Sequence, residues 1–162
     1  MSKIMSPRLI EANDFGWVHV LNQDNKRELS SLTAEGFSSL VGIAHSVWVI
    51  EPEAAFLVLF DETAPYDNPN FAWLRARYDR FLYIDRVAVA AHAKRQGHGR
   101  TLYQHAMAVA KAAGLPRVVC EINAEPPNPA SDAFHEALGF GVVGEQHLET
   151  HGKTVRYWAL DL

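Results

Sequence analysis

The sequence predicts a mixed α/β domain, one sheet carrying helices on its faces, on three observations. Residues 81–114 read as a strand, a glycine-containing turn and an amphipathic helix. Residues 46–61 hold two short apolar runs joined by Pro52-Glu53, the pattern of an antiparallel hairpin. Beyond residue 116 a strand, a short helix and two closing strands follow, an order that suits one mixed sheet. At 162 residues, with 48% apolar content, the chain is long enough for one domain (1–162) with a sizeable core.

Each element has its local reason. Residues 7–12 suggest a first strand running into Asn13-Asp14, an N-cap signal. Phe15, Val18, His19 and Leu21 give a weak helical pattern interrupted by Gly16, and the polar residues 22–31 read as loop. Residues 32–44 form a second helix, with Thr33 as cap and Phe37, Leu40, Val41 and Ala44 on one face. The hairpin strands are 46–51 and 55–61. Residues 62–80 read as the longest irregular connection, with a helical turn through Phe71, Trp73, Leu74 and Tyr78; a connection of this length is often a binding loop. Its aromatic residues equally suit anchorage to the core.

The strand around 83–90 has apolar residues on both faces, so it is expected to be covered on both sides. Leu102, Tyr103, Ala106, Val109, Ala110 and Ala113 make one apolar helix face, which Gly114 and Pro116 terminate. Residues 117–122 are a further strand and 123–129 a proline-rich turn. Asn128 caps a short helix over 129–138, with Phe134, Ala137 and Leu138 inward and Gly139 ending it. Strands at 141–149 and 154–160 flank a His151-Gly152 turn.

Between the central strand and its helix lies Lys94-Arg95-Gln96-Gly97-His98-Gly99-Arg100. Glycine lets the backbone approach a ligand closely, and a helix N-terminus offers unpaired N–H groups with partial positive charge. Together they suit a pyrophosphate; a tight turn that binds nothing is the plainer alternative. Ile84-Asp85-Arg86-Val87-Ala88-Val89, a short loop, a basic-x-x-Gly-x-Gly turn and a helix resemble motif A of the GNAT superfamily of N-acetyltransferases. Lys94 stands in the first, usually Gln or Arg, slot. Asn128-Pro-Ala-Ser131-Asp-Ala-Phe134-His135-Glu-Ala-Leu-Gly139-Phe140 resembles the second GNAT signature. It has Ser131 where Ala is usual and His135 where Tyr is usual. The resemblance covers roughly residues 45–160.

That resemblance implies a GNAT-like, mostly antiparallel sheet of six to seven strands with about four helices, splayed between the fourth and fifth strands near Val89. It also implies acetyl-CoA as co-substrate and an amine acceptor. The pantetheine arm would bond the backbone around Val87, Ala88 and Val89, and the pyrophosphate would rest on the amides of Arg95, Gln96, Gly97, His98, Gly99, Arg100 and Thr101. Asn128, Ser131, Phe134 and His135 would close over the arm.

The chemistry needs a base for the amine and, optionally, an acid for departing CoA. His135 occupies the family's acid position; packing, or a hydrogen bond to the cofactor, is its plainer role. Glu121 is the first candidate base and Asp85, projecting with Tyr83 and Val87, the second. Either carboxylate would be spent if paired with Arg86 or Arg117. A small amine or amino-acid-like acceptor is favoured over protein; the acidic residues of 62–79 with Tyr66 and Trp73 suit a small cation, and they equally suit plain solubility. A non-catalytic acyl-CoA-binding module on the same fold is the alternative. A dinucleotide-binding enzyme fits less well, since the third glycine of G-x-G-x-x-G is missing.

A net charge of −4 argues against a general nucleic-acid binder. No apolar run of membrane length and no signal-peptide pattern is present, and the single Cys120 fits a reducing cytoplasm, so a cytoplasmic location is expected. Cys120 lacks an activating neighbour, and His98 with His105 are too few for a metal site. A homodimer is possible, since similar proteins often pair through their late strands.

Overall fold

The computed structural model describes residues 5–162. Seven strands form one sheet in the order β1-β2-β3-β4-β5-β7-β6. They are β1 (Arg8–Leu9), β2 (Ser46–Ile50), β3 (Ala55–Asp61), β4 (Leu82–Val89), β5 (Arg117–Glu125), β6 (Gly141–Leu148) and β7 (Lys153–Asp161). Five helices cover it: α1 (Phe15–Asp24), α2 (Ala34–Ile43), α3 (Pro69–Arg77), α4 (His98–Ala112) and α5 (Pro129–Ala137). Every strand pairing is antiparallel except β4 with β5.

Alternation along the strands divides the core in two. On one face Phe56, Phe60, Tyr83, Val119 and Tyr157 meet Val18 and Leu21 of α1, Phe37 and Leu40 of α2, and Phe71 and Leu74 of α3. On the other face Leu57, Leu59, Ile84, Val118 and Trp158 meet Leu102, Tyr103, Ala106 and Ala110 of α4. Phe134 and Leu138 of α5 pack against that second core.

The β4–β5 pairing is short. Only Leu82↔Val118 and Tyr83↔Val119 are in register, after which the strands separate. The gap therefore opens at Ile84 and Cys120, deeper than the predicted point near Val89. Beside it, β4 carries a bulge: Ile84 opposes Leu59 and Arg86 opposes Val58, so Asp85 is the extra residue. The bulge turns both Asp85 and Arg86 toward the α1–α2 side, since Asp85 bonds Tyr66 and Arg86 bonds Asn22 and Ser30. Val87 then packs with the α4 core while Tyr83 packs with the α1–α3 core, so the simple alternation expected for Tyr83, Asp85 and Val87 is broken.

Other elements differ from the sequence reading in particular ways. The connection 62–80 contains a full helix, α3, which Asn68 caps by accepting from the N–H groups of Asn70 and Phe71 (2.9 and 3.1 Å). Helix α1 runs to Asp24, and Asn22, read as loop, is buried within it. In α5 it is His135 that is buried, while Ala137 is exposed. Strand β5 continues to Glu125, past the expected end at residue 122.

Candidate active site

A cavity of about 790 Å³ occupies the gap between β4 and β5 and reaches both faces of the sheet. On the α4–α5 side it is lined by Gly99, Tyr103, Cys120, Asn128, Ser131, Phe134 and His135; on the α1–α3 side by Tyr66, Asn70, Asp85 and Glu121.

The turn entering α4 is shaped by two left-handed residues, Arg95 (φ 64°) and Gly97 (φ 82°). Gly97 is the N-cap and no side chain caps the helix. The first helical hydrogen bond comes from the Thr101 N–H, which reaches the Gly97 carbonyl at 3.0 Å. The N–H groups of His98, Gly99 and Arg100 therefore lie before the first hydrogen-bonded turn and point out of its end. Thr101 does not share this freedom, because its amide is already spent. Lys94, Arg95 and Arg100 are exposed, and none takes part in an ion pair among the described residues. The His98 side chain is buried under the turn, leaving only its backbone toward the exterior. Phe134 approaches Gly99 closely: a Cβ there would lie 4.0 Å from its ring.

Along β4, Ala90 donates to Ala54 on the β3 side, and in an antiparallel ladder alternate residues pair with the same neighbour. Ala88 therefore directs its backbone to β3, whereas Val87 and Val89 direct theirs into the gap. Of the three residues expected at this edge, Ala88 is turned away.

On the α1–α3 side the two candidate carboxylates have different surroundings. Asp85 accepts from the Tyr66 hydroxyl at 2.9 Å and pairs with Arg86 Nε at 2.8 Å. Arg86 also donates to Asn22 Oδ1 (2.8 Å), Ser30 Oγ (2.9 Å) and the Ser30 carbonyl (3.1 Å), which fixes the segment between α1 and α2. Among the described residues Glu121 has no cationic partner at contact distance; Arg117 pairs with Asp161 instead. Its Oε2 accepts from the Tyr83 hydroxyl at 2.6 Å and its Oε1 from Asn70 Nδ2 at 3.2 Å. Burial pushes the Glu121 carboxyl up to about 8; the Tyr83 hydrogen bond opposes that rise and the Asp85 charge adds to it.

On the α4–α5 side, His135 Nδ1 lies 2.7 Å from the Ser131 carbonyl. A carbonyl only accepts, so Nδ1 carries the proton and Nε2 accepts from the Tyr103 hydroxyl at 2.8 Å. Burial holds the imidazole below its ordinary pKa. In this neutral tautomer both ring nitrogens are engaged within the protein, Nδ1 by the Ser131 carbonyl and Nε2 by the Tyr103 hydroxyl. Cys120 is buried at the same wall, its thiol pushed up chiefly by burial. Asn128 caps α5, its Oδ1 accepting from the Ser131 N–H at 3.2 Å.

The residues that sequence reasoning missed are Asn70, Tyr83, Tyr157 and Tyr103 as polar partners. Trp73 stacks on Tyr157 (centroids 4.1 Å apart, planes at 8°), and Glu62 reaches Arg80 at 3.8 Å. The aromatic residues Phe71 and Trp73 thus hold α3 against the core. Among the described residues no group of three or more His, Cys, Asp or Glu gathers as a metal site, and no helix is long and apolar enough to cross a membrane.

Comparison with solved structures finds the same fold repeatedly. The ribosomal-protein-S18-alanine N-acetyltransferase of Escherichia coli is 20% identical, with TM-score 0.70, over 96% of this chain and 92% of that one. The ribosomal-protein-alanine N-acetyltransferase of Brucella melitensis is 19% identical, with TM-score 0.74, over 98% and 100%. Salmonella typhimurium yncA, solved with its cofactor acetyl-CoA, is 17% identical, with TM-score 0.69, over 99% and 95%. No curated protein matches the sequence. The model of the acetyltransferase (GNAT) family matches residues 20–140, so the parted strands and the uncapped helix mouth are those of a member: the chain belongs to the GNAT acetyltransferase family.

Proposed function

We propose that the protein transfers the acetyl group of acetyl-CoA to a primary amine by direct attack while both substrates are bound. The observation that carries this reading is the cavity through the sheet, with the free amides of α4 at one face and Glu121 at the other. The residues fit CoA. The amides of His98, Gly99 and Arg100, with the unpaired charges of Arg95 and Arg100, suit a diphosphate. The backbone of Val87 and Val89 suits an extended amide-bearing arm laid along β4.

Glu121, ionised, takes the proton of the attacking amine as the N–C bond forms and the C–S bond breaks. An N–H of β4 facing the gap polarises the thioester carbonyl. The sulfur leaves as thiolate; a thiol pKa of about 8.5 makes it an adequate leaving group without a dedicated acid. Asp85, bound to Arg86 and Tyr66, serves the α1–α2 segment and is not available as base.

A small or amino-acid-like amine is the favoured acceptor, because the α1–α3 half of the cavity is lined by the polar Tyr66, Asn68 and Asn70 beside the Asp85 and Glu121 carboxyls, which suits a small cation. A protein amino terminus is the second reading, favoured by the cavity's continuation between residues 27–30 and 151–153 and by the two alanine N-acetyltransferases of similar fold. A panel of spermidine, histamine, amino-acid amides and short peptides with free amino termini, assayed for CoA release, separates the two. Tight CoA binding with no turnover on any of them would favour a non-catalytic acyl-CoA module and refute transfer.

A further inference from the structure

Asn70, in the first turn of α3, touches Glu121 on one side and Tyr157 on the other. Its Nδ2 is 3.2 Å from Glu121 Oε1, and its Oδ1 is 2.8 Å from the Tyr157 hydroxyl. The hydroxyl also lies 2.8 Å from Gln146 Oε1. The hydroxyl has one proton for two acceptors; when that proton goes to Asn70 Oδ1, with the Gln146 amide turned to donate to the hydroxyl oxygen, the Asn70 amide is oriented and its NH₂ group can only face the carboxylate. Tyr157 is itself immobilised by Trp73, whose ring lies flat on it and fills the space over Gly144, where a Cβ would overlap the indole. Asn68 caps α3 and fixes the turn that presents Asn70.

We propose that Asn70 is a positioning residue for Glu121: held by Tyr157, it donates to the ionised carboxylate and keeps it ready to accept a proton. This rests on the reading of Glu121 as base. Glu121 bonds Tyr83 of β4 and Asn70 of α3, and lies within electrostatic reach of Asp85 and Arg86 of β4, Tyr103 of α4, Tyr157 of β7 and Cys120 of its own strand. The hydroxyls and thiol stay neutral at working pH, because burial raises the pKa of each. Asp85 and Arg86, paired at 2.8 Å, offset one another in part, the Asp85 charge keeping the larger effect on Glu121. The side-chain donors to Glu121 are Tyr83 and Asn70, beside a backbone N–H that also favours the ionised form, and of the two only Asn70 depends on a third side chain for its orientation.

The test is a carboxyl-carbon NMR titration of Glu121 in the full-length wild type, Asn70→Leu and Tyr157→Phe, beside the pH profile of CoA release with the panel's best amine. Losing one hydrogen bond to a charged acceptor should move the Glu121 midpoint up by about one pH unit in Asn70→Leu. Tyr157→Phe, which leaves Asn70 free to turn, should move it in the same direction by less. The acidic limb of kcat should follow, with KM for acetyl-CoA unchanged. A midpoint unmoved in both variants overturns the positioning role. A midpoint that moves while the rate profile stays put upholds the contact and refutes Glu121 as base. Asn70→Ser, smaller but still polar, replaces the leucine variant if that one does not fold.

Discussion

Glu121 and His135 show how surroundings divide the work of two titratable side chains. A base must be ionised, and burial with the nearby Asp85 charge holds the Glu121 carboxyl near 8. Below that value it carries a proton and cannot accept another, so activity should climb as pH rises through about 8, and Glu121→Gln should lose that acidic limb along with most of the rate. A variant that keeps the wild-type limb would clear Glu121. For His135 the shift runs the other way: burial lowers its pKa, so it is neutral where the enzyme works and gains a proton only in acid. His135→Phe strands the buried Tyr103 hydroxyl and should cost about 1–3 kcal/mol in denaturant unfolding, with the pH dependence of acetyl transfer unchanged. A basic limb that vanished in this variant would restore the acid role. None of this was legible in the sequence beyond the presence of the two residues. The family position marks His135 for attention, but its tautomer is set by a carbonyl one turn back and by Tyr103 on another helix.

Among the elements, legibility followed how local the cause was. Thr33 capping α2, Asn128 capping α5 and Gly114 (φ 70°) ending α4 depend on neighbours within four residues, and all three are legible in the sequence. Helix α3 was read as one helical turn because its sequence, PNFAWLRAR, has a weak apolar stripe; its stability comes from Phe71 and Leu74 packing into the core, a tertiary effect. The β4 bulge left no trace in the apolar pattern, yet it turns Arg86 inward. That guanidinium spans Asp85, Asn22 and Ser30, tying β4 to α1 and to the segment beyond it. Arg86→Leu would leave the Asp85 carboxylate buried without its cation and should cost about 3–5 kcal/mol by denaturant unfolding. Arg86→Lys, with one point charge in place of a fork, should recover only part. An Arg86→Leu chain as stable as wild type would show that the network contributes no net stability.

At the scale of the whole molecule, the sheet order puts the free amides of α4 and the Glu121 carboxylate on opposite faces of one slot. The strand sequence and the two GNAT signatures together made the splay between the fourth and fifth strands expected; its depth was not, since it is fixed by which two rungs pair. Binding that bridges the slot should stabilise both halves. Acetyl-CoA at about 100 times its Kd contributes about 2.7 kcal/mol, which for a chain of this size raises Tm by about 5–10 °C. NAD at equal concentration should not. Equal shifts from both would mean that the α4 mouth reads phosphate alone.

The parting of β4 from β5 has a last consequence. Val87 and Val89 lie on the middle strand of a seven-stranded sheet, yet toward the gap their amides meet no strand. The free protein thus carries a raw strand margin in its own interior, open to any extended segment that can reach it. Strands at the centre of a sheet ordinarily exchange their amide hydrogens last. Here the inward-facing pair should exchange early in hydrogen-exchange measurements, and the free chain should self-associate on mild heating, an effect that acetyl-CoA should suppress if its arm lies along that margin as proposed.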